Sequence, residues 1–582
     1  MLDSLPVLVD QWPIIAGLLL LIALSQMILR SILNSIFGHQ LAADESLALA
    51  LAGWILPASF LSLLWLISGF IFPARIPAIV LLLLIIVIAI PLLRLKTDPG
   101  LDSRLTILFL LLFFLISIPA RLIFISHAVL PSYFDSAQHY FLIKNLLVSG
   151  ASFPSTYYHL GYHILTAFAI SAFKANIAFT MLILGQLVLA LMPVSVFFLI
   201  RYITGSTISG ILTVILAAFG WYMPAHAVDW GKYPALLSLG LIPFVLSLAY
   251  LLVLKRTTLP KSKQWVGYSL LGLSILITIL LHSRSLFIFL VVLLAWITAS
   301  WRQRLPKLLR WLVFFIVILF IMVEIAIVQM QDVFAPLFDP YYNKGFWITA
   351  FVLVLSVFAW RSFPQITFAC VLTICFMLGC LFIPVNGWIP GYGNLTMLDR
   401  PFVEMILYLP LSLLGGLGVS GVEKYITGTR LWLVVGIAAI VMMFHAFATY
   451  DWYPSDCCVI AGNDDLTAIG WMDQKLPASA RIGISATAMN VLASDEFEGY
   501  VGGDAGIWIT PLINRAAVPL FFASDFDQQP VLDGICQAGI THIYIGEKGQ
   551  TFDNSKISNH PGWYKLLLSM PGVKVYQVVG CK

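Results

Sequence analysis

Apolar residues run in long unbroken stretches along most of this chain, and the polar residues between them come in short clusters. A bilayer core is crossed by roughly 17 to 25 apolar residues in a helix. On that rule the pattern predicts spans near 12–33, 46–70, 77–93, 104–125, 175–200, 207–220, 234–254, 266–281, 285–300, 308–330, 346–360, 366–384, 401–420 and 429–450. The expected architecture is a polytopic α-helical membrane protein of about 14 transmembrane helices. The first run lacks a basic segment before it and a small-residue cleavage site, and Asp3 and Asp10 precede it. It therefore reads as a retained helix, not a cleaved leader.

Two apolar stretches fit no span. Residues 136–148 have helical periodicity but are too short to cross, and counting 157–173, "YYHLGYHILTAFAISAF", as a span reverses the sidedness of half the protein. Both are expected as juxtamembrane helices in a first large outer loop, 126–174, the second lying in the interface.

After Tyr450 the pattern changes to alternating helix and strand: "DDLTAIGWMDQKL" then "ARIGISA", "PVLDGICQAGI" then "THIYIG", "GWYKLLLSM" then "VKVYQVV". This predicts a C-terminal α/β sandwich over 451–582. The expected organisation is thus additional N-terminal spans in 1–103, a transmembrane core in 104–450 and the α/β domain.

Composition sharpens this. Hydrophobic residues make up 60% of 582, aromatics 13%, and mean hydropathy is +0.96, values outside the range of soluble domains. Basic residues gather in 255–263 and 302–310, which the positive-inside rule makes cytoplasmic. Alternation then puts both chain ends, the loop holding Asp135 and the C-terminal domain on the extracytoplasmic face of the cell (plasma) membrane. Residues 451–582 carry 14 acidic and 8 basic residues, a net of −6, which leaves +10 on the rest of a chain whose total is +4. Cys457, Cys458, Cys536 and Cys581 fall in this outer domain, where disulfides form, whereas Cys370, Cys375 and Cys380 share one apolar span and read as packing residues. The sequon at Asn394 faces outward in this scheme. Neither a Walker A pattern nor a GxGxxG between a strand and a helix is present, which disfavours ATP-driven pumps and cytoplasmic enzymes using nucleotide sugars.

The remaining polar signal lies at the outer ends of spans. "PSYFDSAQHYFLIKNLL" carries Asp135 and His139, "HAVDWGKYP" carries His226, Asp229, Trp230, Lys232 and Tyr233, "LHSRS" carries His282 and Arg284, and "LDRPFVEM" carries Asp399, Arg400 and Glu404. Arg121 ends the fourth span. A carboxylate at a membrane surface can act as general base toward a hydroxyl, and Arg and Lys suit a departing phosphate.

The order of Arg121, Asp135, the helix "SAQHYFLIKNLL" and the segment "YYHLGYHILTAFAISAFK" resembles membrane glycosyltransferases of the GT-C fold, a class that includes protein O-mannosyltransferases and the aminoarabinose transferases acting on lipid A. The resemblance covers mainly 104–203, with looser similarity through "DWGKYPALLSLGLIPF" and "DRPFVEMILYLPLSLLGGLG" to uncharacterised bacterial and archaeal proteins of this type. It implies transfer of a sugar from a polyprenyl-phosphate donor to an acceptor hydroxyl on a glycan, lipid or protein, with Asp135 as the catalytic carboxylate. Membrane lipids are the other expected partners, and nucleic acid is not expected. The candidate substrate-binding groups are Arg121, His139, His163, Asp229, Lys232, Arg284 and Arg400, and Tyr133, Tyr157, Tyr158, Trp230 and Tyr233 offer sugar-stacking surface. Two departures stand out: Ser136 follows Asp135 where the family often has a second acid, and three extra spans precede the expected first one. The missing acid leaves use of a divalent cation open.

Plainer readings compete. Asp135 is a good helix N-cap, and His159 and His163, four apart, are either interfacial residues or ligands on one helix face. Asp229 with Lys232 suits a local ion pair, Arg400 a lipid head-group anchor, Arg284 a snorkelling residue, and Glu324 sits alone inside a span. A secondary transporter and a non-catalytic membrane scaffold are the alternatives from other functional classes.

Overall fold

The computed structural model describes residues 5–72, 75–92, 101–148, 159–332, 334–385, 396–426, 429–450, 452–488 and 500–581. Tyr157, Tyr158 and Asn394 lie outside them. Among the described residues, eight helices are long and apolar enough to cross a membrane: Trp12–Phe37, Ser103–His127, Ile177–Thr204, Tyr233–Leu254, Lys261–Leu281, Ser285–Arg302, Lys307–Met330 and Arg400–Glu423. Counting two bent pairs, Ala43–Ala52 with Ile55–Ile71 and Ala335–Tyr342 with Phe346–Ser362, brings the number to ten. The chain is a multi-pass membrane protein. Several further expected spans are shorter helices, Ala78–Leu92 with 15 residues, Thr207–Phe219 with 13 and Pro364–Gly379 with 16. An apolar run marks burial, and only a helix of about 20 residues also has the length of a bilayer core.

Gly161–Phe173 departs from expectation. An interfacial helix needs one polar face, yet every residue from Gly161 to Ile170 is buried, and the helix packs against Ile55–Ile71, Tyr133–Val148 and Ile177–Leu191. A helix apolar all round belongs inside a bundle. Small residues set another close contact. Ideal Cβ atoms at Gly418 and Gly421 would stand 2.4 and 2.6 Å from the carbonyl oxygens of Leu355 and Phe358, so these glycines let Tyr408–Glu423 lie backbone to backbone on Phe346–Ser362.

Among the described residues, the C-terminal region forms a six-stranded mixed sheet with helices on both faces. Strand β1 (Arg481–Ala488) pairs antiparallel with β2 (Tyr500–Gly502) and parallel with β3 (Ala516–Phe521) and β4 (His542–Ile545). β4 continues antiparallel to β6 (Lys574–Val578), and β5 (Tyr564–Ser569) closes the order. "GWYKLLLSM" is therefore mostly strand, not helix. The Met570 amide donates to Val573 O at 2.9 Å across Pro571-Gly572, and this turn commits the segment to a hairpin with β6. Cys536 and Cys581 form a disulfide across this unit, and Cys457 and Cys458 form one at its entrance.

One face of this region docks on Tyr133–Val148. Leu130 and Ala137 join the apolar cluster built by Ile469, Met472, Ile484 and Trp508. Tyr140 meets the Trp508 ring edge-on at 5.7 Å, and Lys144 Nζ donates to Pro511 O at 2.7 Å and Leu512 O at 3.2 Å. The segment around Trp508, Pro511 and Leu512 thus holds the C-terminal region against the helix that carries Asp135.

Candidate functional site at the ends of the spans

Five stretches of chain bring polar side chains into one cavity of about 120 Å³. Asp135 and His139 come from Tyr133–Val148, Lys232 from the residue before Tyr233–Leu254, His282 and Arg284 from the turn between two spans, and Asp399 from the residue before Arg400–Ile406. His159 enters from the approach to Gly161–Phe173, and Phe402 and Met405 supply apolar wall.

Local sequence explains how these stretches meet. The turn before Lys232 requires Gly231, whose φ is +64° and whose ideal Cβ would lie 2.5 Å from Ser136 Oγ. No side chain fits there, so the turn closes on the Asp135 helix. Lys232 reaches across this junction and its ammonium donates to the Asp135 carboxylate. Gly161 acts similarly: a Cβ would come within 2.9 Å of the Leu280 carbonyl, and the contact seats His159 on His282 with ring centroids 4.4 Å apart. His282 in turn stacks on Phe402 at 4.7 Å and 6°.

Two ion pairs cross the cavity. Lys232 pairs with Asp135, both about one-quarter exposed, and Arg284 Nη1 lies 2.9 Å from Asp399 Oδ2. Asp399 also accepts the Phe402 amide at 3.1 Å, capping the helix behind it. Burial lowers the Lys232 ammonium's proton affinity, but the Asp135 carboxylate, with Asp399 and Tyr133, more than reverses this and leaves its pKa above the usual lysine range. Burial, reinforced by neighbouring imidazoles and cations, pushes His139 and His159 down to about 3, and His282 is also held well below its ordinary value. The imidazoles are therefore neutral near pH 7, each both donor and acceptor. His139 Nδ1 and His163 Nε2 lie 3.0 Å apart, His163 backing His139 away from the cavity.

The helix begins at Tyr133, so Asp135 sits in its first turn, not at its cap, and its carboxylate faces Lys232 instead of free amides. His159 precedes Gly161 and does not share a helix face with His163. Lys232 pairs with Asp135, and Asp229 instead accepts the Ser455 amide at 2.8 Å and lies 3.4 Å from His226 Nδ1. Arg121 is remote: it donates to Ala218 O at 3.2 Å and its guanidinium covers the Tyr450 ring at 4.9 Å, bracing helices. Arg400 pairs with Glu404 at 4.0 Å, and like Asp229 and His163 it does not line the cavity. Tyr233 stacks on Tyr162 in the core with 1% exposure and presents no sugar platform. Glu324, buried on Lys307–Met330, lines neither cavity. His159, His282 and Asp399 are the polar lining residues that were not among the candidate binding groups. "LHSRS" and "LDRPF" signalled the latter two by their position beside Arg284 and at a span entrance, whereas nothing local marked the partner of His159.

A second cavity, of about 410 Å³, has walls that include Leu246, Tyr250, Ile275, Phe289, Trp296 and Leu413. The two are adjacent along one segment, since Met405 lines the first and Leu409 and Pro410 the second.

A model for a family of unknown function, DUF6541, matches residues 132–459, a stretch that includes Asp135, Lys232, Arg284 and Asp399. No curated protein matches the sequence. Among solved structures, the crystal structure of the Archaeoglobus fulgidus oligosaccharyltransferase complex with Zn and sulfate is similar with a TM-score of 0.40 and 13% identity, over 80% of this chain and 72% of that one.

Proposed function

The chain belongs to DUF6541, a family of unknown function, and we propose that it is a membrane glycosyltransferase of the GT-C type that transfers a sugar from a polyprenyl-phosphate donor to an acceptor hydroxyl outside the plasma membrane. The observation that carries this reading is the cavity itself, which sets the Asp135 carboxylate beside Lys232 and Arg284 at the ends of apolar spans.

In this reading Asp135 accepts the acceptor hydroxyl's proton as that oxygen attacks the anomeric carbon and the bond to the lipid phosphate breaks. Lys232 and Arg284 receive the departing phosphate, the arginine by paired N–H bonds and the lysine as a point charge. Both cations begin paired with carboxylates, so the donor phosphate replaces Asp399 on Arg284 and shares Lys232 with Asp135. That exchange releases the Asp135 carboxylate for the proton. Neutral His139 and His159 supply hydrogen bonds to sugar hydroxyls without adding charge. The uncharged second cavity takes the first part of the polyprenyl chain, since a lipid tail leaves water only where its surroundings are apolar. The C-terminal region, fastened to the Asp135 helix, positions the acceptor.

The test is sugar transfer in membranes holding the wild-type protein or Asp135→Asn, supplied with a panel of polyprenyl-phosphate sugars, with folding of both checked by thermal melting. Transfer by the wild type that vanishes in the folded variant supports the reading. Equal transfer by both removes Asp135 from the chemistry.

A further inference from the structure

A group with no part in the reaction just described lies beside the cavity. Cys457 and Cys458 are joined as a vicinal disulfide, and a ring nitrogen of His226 and both sulfurs all lie within 4.8 Å of one another. Asp229 Oδ2 stands 3.4 Å from His226 Nδ1, which leaves Nε2 to serve as the ligand. A carboxylate in that position fixes the tautomer and orientation of a metal-binding histidine and raises its basicity.

We propose that Cys457, Cys458 and His226 form a zinc site that is open when the two cysteines are reduced and closed when they are joined. Two thiolates and an imidazole are the donor set of a three-ligand zinc centre, with the fourth position left to water. Donor atoms around tetrahedral zinc stand roughly 3.3 to 3.8 Å apart, given bond lengths of about 2.0 to 2.3 Å. Opening the S–S bond lets the two sulfurs separate to that spacing. The conversion balances with a dithiol as reductant: it gives two electrons and two protons to the sulfurs, breaks their bond and becomes a cyclic disulfide. Zinc then displaces both thiol protons. Cys457 is exposed and gives the ion a way in, while Cys458 is 2% exposed and anchors the site to the fold.

The site is wired to the cavity by two hydrogen bonds donated by backbone amides. The Cys458 carbonyl accepts the amide of Tyr133, two residues before Asp135, at 2.9 Å. The Ser455 amide donates at 2.8 Å to Asp229, three residues before Lys232. The ion therefore ties together the two segments whose side chains make the Lys232–Asp135 pair.

This inference needs no sugar and stands or falls apart from the transferase reading. Full-length protein in detergent is treated with dithiothreitol or left oxidised, desalted without oxygen, incubated with zinc chloride and desalted again, and bound metal is counted by mass spectrometry. Cobalt in place of zinc reports thiolate ligation through its charge-transfer absorption. We expect about one zinc per reduced chain and almost none per oxidised chain. Cys457→Ser and His226→Gln, each checked for an unchanged melting temperature, bind zinc at least about ten-fold more weakly. Cys457→Ser keeps the Cys536 and Cys581 thiols, so loss of binding in it assigns the ion to this site. Equal zinc in the reduced and oxidised wild type overturns the proposal, as does undiminished binding by both variants.

Discussion

Two cavities that share the Arg400–Glu423 segment are built from opposite chemistry. The smaller, of about 120 Å³, is walled by Asp135, Asp399, Lys232, Arg284 and three histidines, whereas the larger, of about 410 Å³, has no charged residue in its lining. The first draws on turns, helix starts and the residues just before spans. The second draws on the interiors of spans, among them Tyr233–Leu254, Lys261–Leu281, Ser285–Arg302 and Arg400–Glu423, whose ends border the first. Within a bilayer every backbone polar group must be satisfied inside its own helix, so charged and irregular segments collect where spans end. Under the proposed function the contrast separates two tasks, handling the donor phosphate and holding its lipid, and each can be broken without the other.

The largest effect is expected at Asp135. Removing a general base typically costs 10²- to 10⁴-fold in rate, so Asp135→Asn should lower kcat by roughly that factor with the melting temperature nearly unchanged. Next comes Arg284→Met, which takes away a charge-assisted contact to phosphate worth about 1.5 to 3 kcal/mol. Its KM for the lipid-phosphate donor should rise about ten- to a hundred-fold, measured by donor titration, with Arg284→Lys recovering part of the loss. An equal fall in kcat without change in KM would move Arg284 from donor binding to the chemical step.

The apolar cavity should respond selectively. Leu413→Trp adds bulk to its wall and should slow transfer from long-chain donors about ten-fold while leaving a short-chain analogue unaffected, because overpacking acts only where the chain must pass. Equal slowing of both would uncouple this cavity from the lipid. The smallest effect concerns pH. His139, His159 and His282 have folded pKa values below the ordinary value near 6.5, so below that pH the unfolded chain binds more protons than the folded one. Stability contributed by these neutral imidazoles is therefore present above about pH 6.5 and declines as pH falls toward 3. Melting temperature in detergent should drop between pH 7.5 and 5, and His159→Gln should flatten that slope.

Much of the polar cavity could be read along the chain. Asp135, Lys232 and Arg284 stand beside apolar runs in a chain where only 10% of residues are charged, so each was conspicuous. Arg121 looked equally conspicuous, yet its guanidinium rests on Tyr450 and Phe219, far along the chain. Nothing in its neighbourhood distinguishes an arginine that braces three helices from one that meets a substrate. Asp229 and Lys232 are neighbours in sequence but turn to different partners, because Gly231 reverses the chain between them. His159 and His163 have helical spacing, and the start of the helix at Gly161 separates them.

What the amino-acid sequence determined alone is the medium and the axis: long apolar runs, the polar stations between them, and a C-terminal stretch whose alternating pattern makes a sheet. These follow from transfer of side chains out of water and from backbone hydrogen bonding, both local in the chain. Which stations meet was decided by the tertiary structure. Between helices already in lipid the hydrophobic effect gives little direction, and close approach depends on where small residues fall. Gly161 against Leu280 and Gly231 against Ser136 set two of those approaches. They bring His159 to His282 and Lys232 to Asp135, pairings across more than ninety residues that no periodicity along the chain encodes.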